Sequence, residues 1–182
     1  MRIQLFNPDQ VTPEAVADYL SRNRDFLQPY ESAHEDEYYT ARHWKRVLAA
    51  QFVEMEQGRG LYFYISEAGG ADRVIGTITL ANLVMGPMCS GLLGYRLDRE
   101  YLNQGYMTEA VEILTDYAFA ALGLHRIEAY ALPRNAASLR VLEKCGFRAE
   151  GIARAYMRVN GVWEDHVRLA RIIDNWTESA QG

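Results

Sequence analysis

No apolar run in this chain approaches the ~20 residues that a membrane-spanning helix needs. The opening segment MRIQLFNPDQ has neither the charged nor the apolar region of a signal peptide. Lysine and arginine never gather into a run, and the formal net charge is -5, which argues against nucleic acid as the main ligand. An acidic surface would still attract a basic peptide. Cysteine is scarce. Cys89 and Cys145 are too few for a disulfide framework and lack metal-type spacing, so a reduced thiol pair is expected. No glycine loop is followed by G-K-[ST], and the dinucleotide pattern G-x-G-x-x-G is missing, which removes two common phosphate-binding readings. Repeats and low-complexity tracts are absent as well. The expectation is a soluble cytoplasmic protein with no membrane partner and no metal.

What the chain does have suits one domain over residues 1–182. A chain of that length buries roughly 70% of its unfolded surface. Its 49% hydrophobic and 24% charged residues lie near globular averages, so nothing in the composition forces a second unit. Residues 1–6 alternate weakly and read as a strand. Thr12 and Pro13 make a helix start, with Val16, Tyr19 and Leu20 facing inward and an end near residue 23. The next segment, RDFLQPYESAHEDEYYT, mixes aromatics with carboxylates and shows no sustained period. Its Phe26, Leu27, Tyr30, Tyr38 and Tyr39 either pack onto the domain or line a pocket.

A second helix is expected over residues 41–57, then strands over 61–66, 73–80 and 89–97. Residues 126–132 place Ile127, Ala129 and Ala131 on one face and Glu128 and Tyr130 on the other. Asn135 caps a helix ending at Gly146, and residues 147–159 and 162–173 flank Asn160-Gly161, a strong hairpin signal. The polar tail from residue 175 is expected to fray. Such alternation predicts a mixed α/β sheet of about seven strands with about four helices on its two faces.

The stretch LDREYLNQGYMTEAVEILTDYAFAA, residues 97–121, carries the functional signal. A loop with Gly105 runs into an amphipathic helix whose apolar positions are Ala110, Leu114, Tyr117, Ala118 and Ala121. Gly123 stands where a helix end uses a left-handed residue. A helix that starts after a glycine loop presents unpaired N–H groups and partial positive charge, a device for holding phosphate. An ordinary strand-loop-helix connection is the competing reading.

This stretch, with NAASLRVLEKCGF at 135–147 and NGVWEDH at 160–166, resembles the GNAT acyltransferases. Within them it is most similar to the ribosomal-protein alanine N-acetyltransferase group (RimJ/RimL type). The family loop pattern of Gln or Arg, two residues, Gly, one residue, Gly or Ala falls on Leu102, Gly105 and Met107, where only the middle glycine matches. The second element is complete at Asn135, Ser138, Val141, Gly146 and Phe147.

The resemblance implies a GNAT-like fold, acetyl-CoA as cosubstrate and a primary amine as acceptor. Tyr95, Arg96 and Leu97 would offer backbone to the thioester. Leu102, Asn103, Gln104, Gly105, Tyr106, Met107 and Thr108 would face the pyrophosphate. Asn135 would contact pantetheine or its phosphates, and Ser138 would lie near the sulfur and protonate it, while Arg140 and Lys144 either reach the ribose phosphate or stand as solvated helix charges. Phe26, Tyr30, Glu31, Tyr130 and Glu164 would form the acceptor side.

Attack by an amine also needs a proton acceptor. Glu31 ranks first, because it follows Pro29-Tyr30 in the aromatic loop. Asp165 ranks second, because hairpin alternation pairs Tyr156 with it and puts it on a face with Trp163, Val167 and Leu169. Glu164 is third, on the polar face with His166 and Arg168. The acceptor implied by the resemblance is a protein N-terminal α-amine. A small amine such as a polyamine or antibiotic is the alternative acceptor, and a non-catalytic acyl-CoA-binding domain is the alternative class. A monomer or a homodimer would serve.

Overall fold

Tyr64 and Ile65 are neighbours in the strand Leu61–Glu67, both buried, yet they enter different apolar clusters. Successive strand side chains point to opposite faces, so this sheet is covered on both sides. The computed structural model describes residues 2–70 and 72–173. In chain order the elements are β1 (Ile3–Phe6), α1 (Pro13–Arg22), α2 (Arg24–Leu27), α3 (Ala41–Glu56), β2 (Leu61–Glu67), β3 (Gly76–Val84) and β4 (Ser90–Leu97). Then follow α4 (Tyr106–Ala120), β5 (Arg126–Ala131), α5 (Ala136–Lys144), β6 (Arg148–Val159) and β7 (Val162–Ile172). The seven strands run in the order β1-β2-β3-β4-β5-β7-β6, with β4 and β5 parallel and the other neighbours antiparallel.

One face carries α4 and α5, whose Met107, Ala110, Val111, Leu114 and Leu142 pack on Ile65, Ile78, Leu93, Ile127 and Leu169. The other carries α1 and α3, whose Val16, Tyr19, Leu20, Trp44 and Leu48 pack on Tyr64 and Val74. Local chemistry starts these helices where expected. The Thr12 hydroxyl accepts the Ala15 N–H at 3.2 Å, and the Thr40 hydroxyl accepts that of His43 at 3.3 Å. Among the described residues no helix is long and apolar enough to cross a membrane.

Four expectations need correction. The aperiodic segment after α1 is no plain loop: it forms α2 and single 3-10 turns at Gln28–Tyr30 and Asp36–Tyr39. One turn is too short for a period to register. The buried stripe of α4 is rotated from the expected one, with Val111 and Thr115 inside, Tyr117 48% exposed and Ala121 exposed. The strand expected over 73–80 lies at Gly76–Val84.

The fourth concerns the final hairpin. Val159 pairs with Val162 and Met157 with Glu164, but Tyr156 does not pair with Asp165. The ladder shifts between Ala153 and Met157, so three residues bulge opposite Asp165. Ala155 adopts φ 45° there and donates its N–H to Asp165 Oδ1 at 2.8 Å. Asp165 is therefore exposed and structural in its contacts, not set among apolar neighbours. The hairpin outruns the helices, so Leu169 reaches the core while Trp163 is 63% exposed. The tail expected to fray from 175 lies outside the described residues.

Candidate active site

The parallel ladder between β4 and β5 ends at Leu93 opposite Ala129. Beyond it, Gly94 to Leu97 pair only with β3, and Tyr130 and Ala131 pair only with β7. The two strands therefore part, and a cleft of about 510 Å³ opens at the parting, lined by both strand ends. Through this gap the two faces of the sheet communicate. A parallel pair needs a crossover helix, and that crossover is α4, which delivers the Gly105 loop to the same spot.

On the α4/α5 face the wall is built from helix beginnings. Leu102, Asn103, Gly105, Tyr106, Met107 and Thr108 all line the cleft. Gly105 precedes the first turn of α4 with φ 82°, and Asn103 also takes a left-handed backbone at φ 59°. Glycine occupies the first position because any Cβ there is strained and would meet Arg2 Nη2 at 3.1 Å. Arg2 donates to the Gln104 carbonyl at 2.6 Å and pairs with Glu109, tying the loop to β1. The first N–H groups of α4 have no carbonyl partner within the helix, an arrangement that suits an anion. From α5, Asn135 Oδ1 caps the helix through the Ser138 N–H at 3.1 Å. Arg140 and Lys144, one turn apart and exposed, put two cations on the rim.

Ser138 meets Tyr95 of β4. The Tyr95 hydroxyl donates to the Ser138 carbonyl at 3.1 Å and lies 3.0 Å from Ser138 Oγ. Either hydroxyl can be the donor of that second contact. Burial pushes the Tyr95 phenol above its usual range, and the Ser138 contact opposes that only in part.

On the other face the wall is aromatic and charged. Arg96 bonds the Tyr38 hydroxyl at 2.7 Å and pairs with Glu31 Oε2 at 3.0 Å. His34 stacks flat on Tyr38 at 3.7 Å and holds Nε2 3.6 Å from Glu31 Oε1. Burial lowers the His34 imidazole, against the pull of Glu31. Across the gap Tyr130 stacks on Tyr156 at 4.1 Å, and Tyr156 meets the His166 ring edge-on at 5.3 Å. Glu128 beside them is partly buried, which by itself would raise its carboxyl. The Arg126 and Arg168 guanidiniums outweigh that and hold it below the usual carboxylate range.

A roof joins the two sides. Asn160 donates to the Gln28 carbonyl at 2.8 Å, and Ser32 donates to the Arg158 carbonyl at 2.9 Å. Arg134 bonds the Pro29 carbonyl at 2.8 Å and pairs with Glu164 at 2.8 Å.

Of the residues singled out from sequence, Phe26, Tyr30, Glu31, Tyr95, Arg96 and Leu97 line this cleft, as do Tyr130, Asn135, Ser138, Arg140 and Lys144. Three others do not. The Gln104 side chain turns back to the Glu100 carbonyl at 3.0 Å, Glu164 is held by Arg134, and Asp165 is held by the bulge. Met107 is 4% exposed, so its side chain belongs to the core as well as to the cleft wall. Sequence reading missed Met157 and His166, both in the lining. Alternation did place His166 on the face shared with Glu164, but polarity there suggested solvent, and the ring is only 4% exposed.

A family model described as the acetyltransferase (GNAT) domain matches residues 6–148. The chain is 44% identical over 150 residues to the probable N-acetyltransferase YjcK of Bacillus subtilis (strain 168), covering 82% of each sequence. Among solved structures, the ribosomal-protein-S5-alanine acetyltransferase from Vibrio fischeri superposes with a TM-score of 0.89 at 34% identity, over 96% of this chain and 94% of that one. RimJ from Mycobacterium smegmatis, solved in complex with CoA-disulfide, superposes with a TM-score of 0.86 at 27% identity, over 94% of this chain and 81% of that one.

Proposed function

This chain belongs to the GNAT acetyltransferase family and is an N-acetyltransferase, and from that premise we propose that it moves an acetyl group from acetyl-CoA to the α-amine of a protein N-terminus, by direct attack in a ternary complex. The observation that carries this reading is the parting of β4 and β5, which lets a thioester held on one face of the sheet meet an amine arriving on the other. Proximity of that kind turns a bimolecular step into one within a single complex.

On the α4 side, the N–H groups from Gly105 to Thr108 hold the pyrophosphate, with Arg140 and Lys144 on the ribose phosphate. Asn135 has its Oδ1 committed to the helix cap, so its Nδ2 is the donor offered to pantetheine. Ser138 sits where the departing thiolate forms and passes it a proton, backed by Tyr95. On the opposite side Glu31 draws the acceptor ammonium in, and Phe26, Tyr30 and Tyr130 shape the channel. The roof ties residues 28–32 to the final hairpin and to Arg134 beside that entrance. The S5-alanine acetyltransferase named above supports the same acceptor class.

The test is calorimetric titration with acetyl-CoA, followed by turnover on a panel of N-terminal peptides, polyamines and aminoglycosides. The reading expects saturable binding and turnover on peptides with a free α-amine. Turnover confined to small amines would move the acceptor class, and binding without any turnover would make the chain a coenzyme-binding domain only.

A further inference from the structure

The three carboxylates ranked as proton acceptors are all engaged. Glu31 is paired with Arg96 and flanked by His34, Glu164 is paired with Arg134, and Asp165 accepts the Ala155 N–H. Each therefore has an oxygen committed to a protein partner. His166 is differently placed. It is 4% exposed yet lines the cleft, on the face of β7 that looks toward Tyr130 and Glu31. Its Nδ1 lies 3.1 Å from the Glu164 carbonyl oxygen. A carbonyl only accepts, so this contact puts the ring proton on Nδ1 and leaves Nε2 with a lone pair on the opposite edge. Among the described residues none hydrogen-bonds Nε2.

We propose that His166 Nε2 is the proton acceptor for the incoming amine, working from the acceptor face while Ser138 and Tyr95 serve the sulfur on the coenzyme face. This rests on the acetyl-transfer reading above. The acceptor enters as R–NH3+. Nε2 takes one proton, directly or through one water, and hands it to solvent. The freed nitrogen pair attacks the thioester carbonyl and the C–N bond forms. As the tetrahedral adduct collapses the C–S bond breaks, the thiolate takes the proton of the Ser138 hydroxyl, and the nitrogen's second proton, relayed by water, restores that hydroxyl. The products are the amide, free thiol and one proton in solvent, so the step balances.

Aromatic rings and paired charges surround the imidazole. Tyr156 of β6 meets it edge-on, and Tyr130 of β5 lies behind Tyr156. From across the cleft come Glu31, just after the 3-10 turn Gln28–Tyr30, and Arg96 of β4, paired with each other at 3.0 Å. On its own strand Glu164 and Arg168 are already paired, with Arg134 and Glu128 respectively.

The experiment compares His166→Asn with wild type on the peptide that wild type acetylates best. Asparagine can still donate to the Glu164 carbonyl but cannot accept the proton. The expected result is a loss of about 10²–10⁴-fold in kcat/KM, with the acidic limb of the pH–rate profile abolished and acetyl-CoA affinity within threefold of wild type. A rate within threefold of wild type, or an unchanged acidic limb, overturns the proposal. So does a loss confined to KM. A second measurement needs no variant: 15N-resolved histidine spectra of the wild-type protein, assigned sequentially, should show His166 protonated at Nδ1 and titrating at Nε2 with the midpoint of the acidic limb. The opposite tautomer, or no titration across that limb, overturns the proposal even where His166→Asn does not fold. If wild type binds acetyl-CoA but acetylates no amine, the acetyl-transfer reading falls and this proposal with it. If wild type turns over and His166→Asn keeps its rate, only the assignment of the acceptor falls.

Discussion

Asp98 shows how one buried charge is made tolerable beside the cleft. It is 1% exposed, and burial by itself would raise its carboxyl. The Glu100 N–H, the Arg22 guanidinium and its contact with Asn23 outweigh that and hold it below the usual carboxylate range. Asp98→Asn is expected to cost about 2–3 kcal/mol in urea unfolding, the scale of a lost hydrogen bond to a charged group. Because the folded carboxyl is depressed, its contribution is present above the unfolded value near pH 4 and is lost as pH falls through the folded one. The difference between wild type and Asp98→Asn should therefore shrink on acidification; a constant difference from pH 7 to pH 3 would show that the charge is not the cause. Glu31 makes the contrasting case, a charge placed for a ligand. Glu31→Gln should raise KM for the peptide roughly tenfold, about 1.4 kcal/mol of lost attraction, with kcat and the acidic limb kept. A fall in kcat of a hundredfold would return Glu31 to the role of proton acceptor.

At the scale of elements, two backbone irregularities set the site, and they differ in how visible they were. The Gly105 turn was legible because a glycine ahead of a helical period marks a helix entrance, although the stretch by itself also allowed an ordinary strand-loop-helix connection. Its physical reason is now concrete: φ 82° at the helix entrance and Arg2 within 3.1 Å of any added Cβ. Gly105→Ala should cost about 1–2 kcal/mol of stability from the left-handed backbone alone and weaken acetyl-CoA as well. Equal affinity in the folded fraction, measured by calorimetry, would leave the glycine a purely structural role. The β6–β7 bulge was not legible. A non-glycine residue at φ 45°, Ala155, gives no sign in sequence, and strict alternation therefore carried Asp165 into a core it never enters. Asp165→Asn should leave kcat/KM within threefold of wild type; a loss above a hundredfold would contradict the exposed, bulge-bound position.

The whole molecule is one sheet with a gap in it, and a ligand that bridges the gap should stabilise the fold. Acetyl-CoA at a hundredfold excess over Kd is expected to add about 2.7 kcal/mol, read as a rise in Tm. No shift with the protein folded would count against the coenzyme reading. The sequence alone determined the order of the strands and of the long helices, the helix starts at Thr12 and Asn135, the Gly105 entrance and the membership of most cleft residues. These are local: capping, periodicity and turn chemistry act over a few residues and are written in adjacent letters. Only the tertiary structure decided where β4 and β5 part, that Arg96 would claim Glu31, that Arg134 would claim Glu164, and that His166 would end buried with Nε2 unclaimed. The parting strands and the two ion pairs join groups between about 30 and 65 positions apart, and packing decides which of them meet and which buried polar groups are satisfied.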